Sequence, residues 1–266
     1  MNDFFGAVKE RQERIKSLLC VGLDPDLDKI PRAYQKKDRP ILQFCLDVID
    51  ATKDFASCFK PQFAHFAAAN ATDDLQQVVS ILRSEGLPVI LDAKRGDVGS
   101  TSEFYAHEAF DIYDAGAVTV NPYMGGDSLV PFLEYEDRGV ILLCRTSNPG
   151  GSDIQNLELA SGGQVYERVA VLARDKWNTN KNVGLVVGAT RPEELRRVRE
   201  IVGDMYLLLP GVGAQGADVR EVMRAGSGGG LLVSASRSVL YPKSEGIHNV
   251  RLAARETRDL IASCSE

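Results

Sequence analysis

Val89-Ile90-Leu91-Asp92-Ala93-Lys94-Arg95-Gly96-Asp97 passes without a break from an apolar run into charge. The apolar half reads as a buried strand. Side chains at i and i+2 of a strand share a face, so Asp92 and Lys94 point the same way at its end. A carboxylate and an ammonium there are costly to desolvate, and as a purely structural ion pair they contribute little net stability. A chemical role explains them better. Other strand-like runs lie at Leu18–Leu23, Ala56–Phe59, Ala117–Val120, Val140–Cys144, Val183–Val187, Tyr206–Leu209 and Leu231–Val233, which with Val89–Leu91 makes eight. Helical spacing separates them, as in Ile41, Phe44, Cys45, Val48 and Ile49, or Leu75, Val78, Val79 and Leu82 before Gly86. Strands buried on both faces and alternating with helices imply a parallel sheet. Eight such units predict an α/β fold, a single (β/α)8 TIM barrel domain over residues 1–266, rather than an open doubly wound sheet.

A closed barrel gathers every post-strand loop at one mouth, and the chemically interesting residues follow that rule. Asp24, Lys60, Asp92, Lys94, Asn121, Ser147, Gln215 and Arg237 all stand at or just after the C-terminal end of a predicted strand. Ser100-Thr101-Ser102-Glu103 fits a capping box opening a helix, Pro192 fits a first helical turn, and Gly203 and Gly226 fit helix ends. The longest irregular stretch, residues 146–163, reads as a mobile or substrate-covering loop.

Composition narrows the partners. A net charge of −6 argues against a nucleic-acid backbone or an anionic membrane, both of which need a surplus of Lys and Arg on one face. The first seventeen residues are rich in charge and no later run reaches membrane-spanning length, so the chain reads as cytoplasmic. Cys20, Cys45, Cys58, Cys144 and Cys264 are scattered and mostly apolar in context, which suggests buried free thiols rather than a metal or redox pair. His65, His107 and His248 are isolated and read as structural or solvated.

Lys60, Asp92, Lys94 and Asp97 form an alternating series in which each charge compensates its neighbour, keeping the ammoniums protonated and the carboxylates ionised. Asp24 in Leu23-Asp24-Pro25 can accept from sugar hydroxyls or form an Asp-Pro turn, and Thr101 can serve a ligand or cap a helix. Pro210-Gly211-Val212-Gly213-Ala214-Gln215-Gly216 and Ser234-Ala235-Ser236-Arg237 follow strands seven and eight, where barrels of this kind place phosphate sites. Backbone amides and an Arg guanidinium are the donors that a phosphate requires.

Asp-x-Lys-x-x-Asp, read together with Phe59-Lys60-Pro61-Gln62, Asp24 and the two late segments, resembles the orotidine 5′-phosphate decarboxylases, and within them the longer bacterial branch. The resemblance spans Asp24 to Arg237. It implies decarboxylation of orotidine 5′-phosphate to UMP and CO2, the last step of de novo pyrimidine synthesis, with neither cofactor nor metal. It also implies a homodimer with shared sites. Lys60, Asp92, Lys94 and Asp97 would be catalytic: Lys94 protonates the C6 carbanion, Asp92 lies against the departing carboxylate, and Asp97 serves the partner's site. The same resemblance assigns Gln215 to phosphate and pyrimidine, Arg237 to phosphate, Ser147 to the base edge, and Thr101 with Asp97 to the ribose of the neighbouring site. Ser236 departs from the shorter branch, which has glycine before the phosphate Arg. Two rivals remain. A keto-gulonate phosphate decarboxylase or hexulose phosphate synthase shares Asp-x-Lys-x-x-Asp but holds magnesium with a Glu where this chain has Lys60, and an inactive barrel would bind nucleotide phosphate alone.

Overall fold

The computed structural model describes residues 3–211 and 218–265. Its strands are β1 (Leu19–Leu23), β2 (Cys58–Pro61), β3 (Ile90–Arg95), β4 (Ala117–Val120), β5 (Gly139–Arg145), β6 (Val183–Val187), β7 (Leu207–Pro210) and β8 (Leu231–Ala235). All pair in parallel, in the order β2-β1-β8-β7-β6-β5-β4-β3. The remaining gap, between β2 and β3, is bridged at Phe59–Val89 and Gln62–Asp92. This is the (β/α)8 barrel that the alternation of runs predicts, with helices such as Pro40–Thr52, Thr72–Ser84 and Pro192–Val202 between strands.

One residue of each strand, namely Cys20, Cys58, Ile90, Ala117, Ile141, Val186, Leu208 and Leu232, contributes to an inner apolar cluster that also holds Phe4, Phe5 and Val8. These last three belong to the helix Phe4–Ile15, whose first turn is capped by Asp3 accepting from the Gly6 N–H at 2.6 Å. Phe5 stacks on Tyr206 with ring centroids 4.8 Å apart. The aromatic plug fits because β5 begins with glycine: a Cβ on Gly139 would stand 2.6 Å from the Phe4 ring. Burying each Phe contributes about 1.5–3 kcal/mol. The N-terminal end of the barrel is thereby filled, and the opposite end carries the polar residues.

Several local expectations need correction. Ser100 does not cap a helix: the helix Gly99–His107 starts one residue earlier, with Val98 at its N-cap and no side-chain bond there. Asp97 has already turned the chain by accepting from the Val98 N–H at 2.8 Å, leaving Ser100 inside the first turn. A capping box occurs instead at Gln164 and Glu167. Pro192 does open its helix and Gly203 ends it, at φ +63°. Residues 146–163 hold the short turns Pro149–Gly151 and Ser152–Gln155 and a bridge between Glu158 and Gln164. Cys20, Cys45, Cys58 and Cys144 are buried free thiols, and Cys264 is half-buried. Among the described residues no helix is long and apolar enough to cross a membrane.

Candidate active site

Lys60 and Asp92 face each other across the β2–β3 junction. The Lys60 ammonium donates to Asp92 Oδ2 and the Lys94 ammonium to Asp92 Oδ1, each at 2.6 Å. Gln62 Nε2 adds a bond to Oδ2 at 3.1 Å, and the Thr119 hydroxyl one to Oδ1 at 2.9 Å. Burial opposes charge on Asp92, but the attraction of Lys60 and Lys94 and their hydrogen bonds outweigh it and hold the carboxyl well below its usual range. Burial likewise pulls the Lys60 ammonium down, and Asp92 with Asp24 more than compensates, so its value lies above that of an ordinary lysine. Asp92 and Lys60 are therefore charged at neutral pH. The two lysines differ in exposure: the Lys60 side chain is 6% exposed and that of Lys94 45%.

The shared face of Asp92 and Lys94 is reached by a distorted route. Between Leu91 and Arg95 the β3–β4 register shifts, and Lys94 has φ +47°, a left-handed conformation that costs a non-glycine residue about 1–2 kcal/mol. The regular alternation read from the sequence is replaced by a bulge, a device common beside active sites.

Two adjoining cavities open over this cluster, of about 530 and 230 Å³, and both are lined by Lys60, Asp92, Lys94 and Ser147. The larger has an apolar wall of Leu143, Ile154, Val186 and Leu208. The smaller reaches Asp24, Ser234, Ser236 and Arg237. Asp24 Oδ1 is buried there and has no hydrogen-bond partner among the described residues, so it is an acceptor open to a ligand hydroxyl. Ser236 fits beside it because β1 carries Gly22, where a Cβ would meet Ser236 Oγ at 1.9 Å.

Of the residues singled out by sequence, Asp24, Lys60, Asp92, Lys94, Ser147 and Arg237 surround one continuous space. Asp97 and Thr101 line neither cavity: Asp97 bonds to Val98, and Thr101 is exposed on the helix Gly99–His107. Gln215 lies outside the described residues. Sequence reading gave no role to three further residues. Gln62 stands in the quoted Phe-Lys-Pro-Gln segment, and Thr119 is the one hydroxyl in the apolar strand Ala117–Val120. Arg145, 1% exposed at the end of β5, donates to Thr146 O at 2.7 Å, Gln155 Oε1 at 3.1 Å and Ser152 Oγ at 3.1 Å. Its Nε also approaches Glu194 Oε2 at 2.8 Å without hydrogen-bond alignment. A charged residue ending a buried strand was the available signal. This network ties the 146–155 segment over the larger cavity, in keeping with the expectation of a mobile or substrate-covering loop in its second form.

Comparison with known proteins identifies the family. Residues 17–244 match the family model described as orotidine 5′-phosphate decarboxylase / HUMPS family. A protein of Ralstonia nicotianae named orotidine 5′-phosphate decarboxylase is 53% identical over 256 residues, covering 94% of this chain and 94% of its own. One of the same name from a Janthinobacterium species is 54% identical over 253 residues, covering 92% and 93%. The solved structure of Leishmania donovani OMP decarboxylase superposes with a TM-score of 0.85 at 39% identity, covering 99% of this chain and 98% of that one.

Proposed function

This chain belongs to the orotidine 5′-phosphate decarboxylase / HUMPS family, and from that premise we propose that it decarboxylates orotidine 5′-phosphate to UMP and CO2 without a cofactor. The observation that carries the reading is the pair of ammoniums held at 2.6 Å on the two oxygens of one buried carboxylate. Loss of CO2 from C6 leaves an electron pair in the plane of the pyrimidine ring. A fixed cation beside that position stabilises it in a site already organised for the charge. Lys94 fits the role of proton donor, because its half-exposed side chain can regain a proton from solvent after each turnover whereas the enclosed Lys60 cannot. Lys60 keeps Asp92 ionised against the departing carboxylate. The phosphate would lie toward Arg237, the ribose hydroxyls toward the unpartnered oxygen of Asp24, and the base edge toward Ser147.

The alternative that stabilises an enediolate on magnesium is disfavoured by Lys60, whose ammonium occupies the place of an acidic ligand and would repel the metal.

Asp97 and Thr101 find no work in their own protomer's cavities. Around them the loops after β3 and β4 expose large apolar side chains, Phe104 at 72% and Tyr123 at 78%, with Val98, Met124 and Val130 nearby in sequence. An exposed apolar surface of this kind marks an interface. We accordingly assign the chain to a cytoplasmic homodimer of single-domain barrels, in which Asp97 and Thr101 complete the partner's site.

The direct test follows the fall of orotate absorbance on adding orotidine 5′-phosphate in excess EDTA. Turnover with UMP as product is the expected result. An inert protein, or activity lost in EDTA and restored by magnesium, would overturn the proposal.

A further inference from the structure

The bulge in β3 has one residue opposite it. Leu91 pairs with Val118 and Arg95 with Val120, so Asp92, Ala93 and Lys94 all stand against Thr119. Regular ladder bonding lapses here, and the Thr119 side chain takes its place. Its Oγ1 accepts from the Lys94 N–H at 3.0 Å and donates to Asp92 Oδ1 at 2.9 Å. Because an amide N–H only donates and a carboxylate only accepts, the direction of the single hydroxyl proton is fixed. The Lys94 ammonium returns to the same Asp92 oxygen at 2.6 Å. Backbone amide, hydroxyl, carboxylate and ammonium thus form a closed ring. Thr119 is 1% exposed although it borders the larger cavity, so its two bonds are shielded from bulk solvent.

We propose that Thr119 is a positioning residue for the decarboxylation: its hydroxyl pins the left-handed backbone of Lys94 and thereby sets where the Lys94 ammonium stands relative to Asp92. The proposal rests on the reading of Lys94 as proton donor. A left-handed lysine persists only where its surroundings over-determine it, and Thr119 supplies a side-chain bond at the distorted residue itself. A valine at this position would fill nearly the same volume while leaving the Lys94 N–H and one oxygen of Asp92 each short of a partner. Serine would keep both bonds and lose only a methyl group.

The experiment compares Thr119→Val and Thr119→Ser with the wild type in kcat, KM, UMP affinity and amide hydrogen exchange at Lys94. Thr119→Val is expected to lower kcat about 10- to 100-fold, the range for losing a hydrogen bond to a charged group. UMP affinity should stay within about twofold, since the lost interaction matters to the transition state rather than to product. Thr119→Ser is expected to recover most of the lost rate, and the Lys94 amide to exchange faster in the valine variant only. A Thr119→Val enzyme with unchanged kcat, equal damage from both substitutions, or a change confined to KM would each overturn the proposal. If the valine variant does not fold, exchange in the wild type decides, because rapid exchange at Lys94 would show that the bond does not hold. Failure of the decarboxylase reading itself is distinguishable: it appears as a wild type without turnover, whereas the exchange measurement requires no substrate.

Discussion

Replacing Asp92 with asparagine keeps the shape of the side chain and removes the charge on which the site is built. Four donors converge on this carboxylate: Lys60 and Gln62 on Oδ2, Lys94 and Thr119 on Oδ1. An asparagine has one oxygen and one NH2 to offer; Gln62 and Thr119 can turn an acceptor toward the NH2 but an ammonium cannot, so whichever way it is turned one lysine meets another donor. Lys60 is the more serious loss, since its side chain is 6% exposed and cannot recover solvation in place. Breaking a buried pair by removing one partner costs about 3–5 kcal/mol, which for a chain of this size corresponds to a drop of roughly 6–20 °C in Tm. The pH profile changes as well. In the wild type, the depressed value of Asp92 gives stability that is present above the usual carboxylate range and lost as pH falls through its folded value. The raised value of Lys60 gives stability present below the ordinary lysine value and lost as pH rises through its folded value. Neither adds slope between about pH 5 and 9. In Asp92→Asn, burial acts on Lys60 with Asp24 as the main remaining opposition, and the folded value is expected to fall below the unfolded one. The folded state then binds fewer protons than the unfolded chain, so stability should rise with pH up to about 10.4, the unfolded lysine value. Urea unfolding between about pH 6 and 9 measures this directly. A variant within about 1 kcal/mol of wild type, with the same flat profile, would refute the reasoning.

Arg237→Ala should weaken UMP binding by about 1.5–3 kcal/mol, the scale of a hydrogen bond to a charged group, and leave uridine binding unchanged; equal losses for the two ligands in calorimetry would remove Arg237 from the phosphate site. Lys94→Ala and Asp97→Ala homodimers should each be impaired, while their reassorted mixture recovers about a quarter of wild-type turnover, because about half the dimers are mixed and half of their sites are intact. No gain after demonstrated subunit exchange would place Asp97 in its own chain's site or outside catalysis. Arg145→Met removes the buried cation beside Glu194, which keeps Asn156 at 3.1 Å and Arg191 at 3.7 Å, and releases the 146–155 segment, so stability should fall by about 1–3 kcal/mol and KM should rise more than kcat falls. Unchanged KM in steady-state kinetics would detach this network from the cavity.

The barrel was legible because each strand buries both faces, leaving eight apolar runs at helical separation. Strand ends were less so. β2 continues to Pro61 and β3 to Arg95, through Lys60 and through Asp92 and Lys94, since hydrogen bonding continues where apolar character stops. Asp24, Lys60, Asp92, Lys94, Ser147 and Arg237 could be found because charge and hydroxyls at strand ends are conspicuous. Thr119 and Arg145 were not, for their roles depend on a register shift and on partners at positions 152, 155 and 194 that no local pattern relates. The plug of Phe4 and Phe5 escaped notice for a similar reason: a helix that fills a barrel end has the same periodicity as one that lies on a surface.

At the junction of β2 with β3 isolated bridges replace a continuous ladder, so closure of the barrel and assembly of the charged cluster meet at one seam. Seven of the eight strand junctions are laddered, two of them with a register shift, whereas this one is held by two bridges, the Phe59 N–H to Pro88 O bond at 2.9 Å, and the side chains of Lys60, Gln62 and Asp92. A chain that has assembled its ladder and not yet shut this gap lacks the Asp92 carboxylate between its two lysines. Turnover during refolding therefore cannot return before this junction has closed.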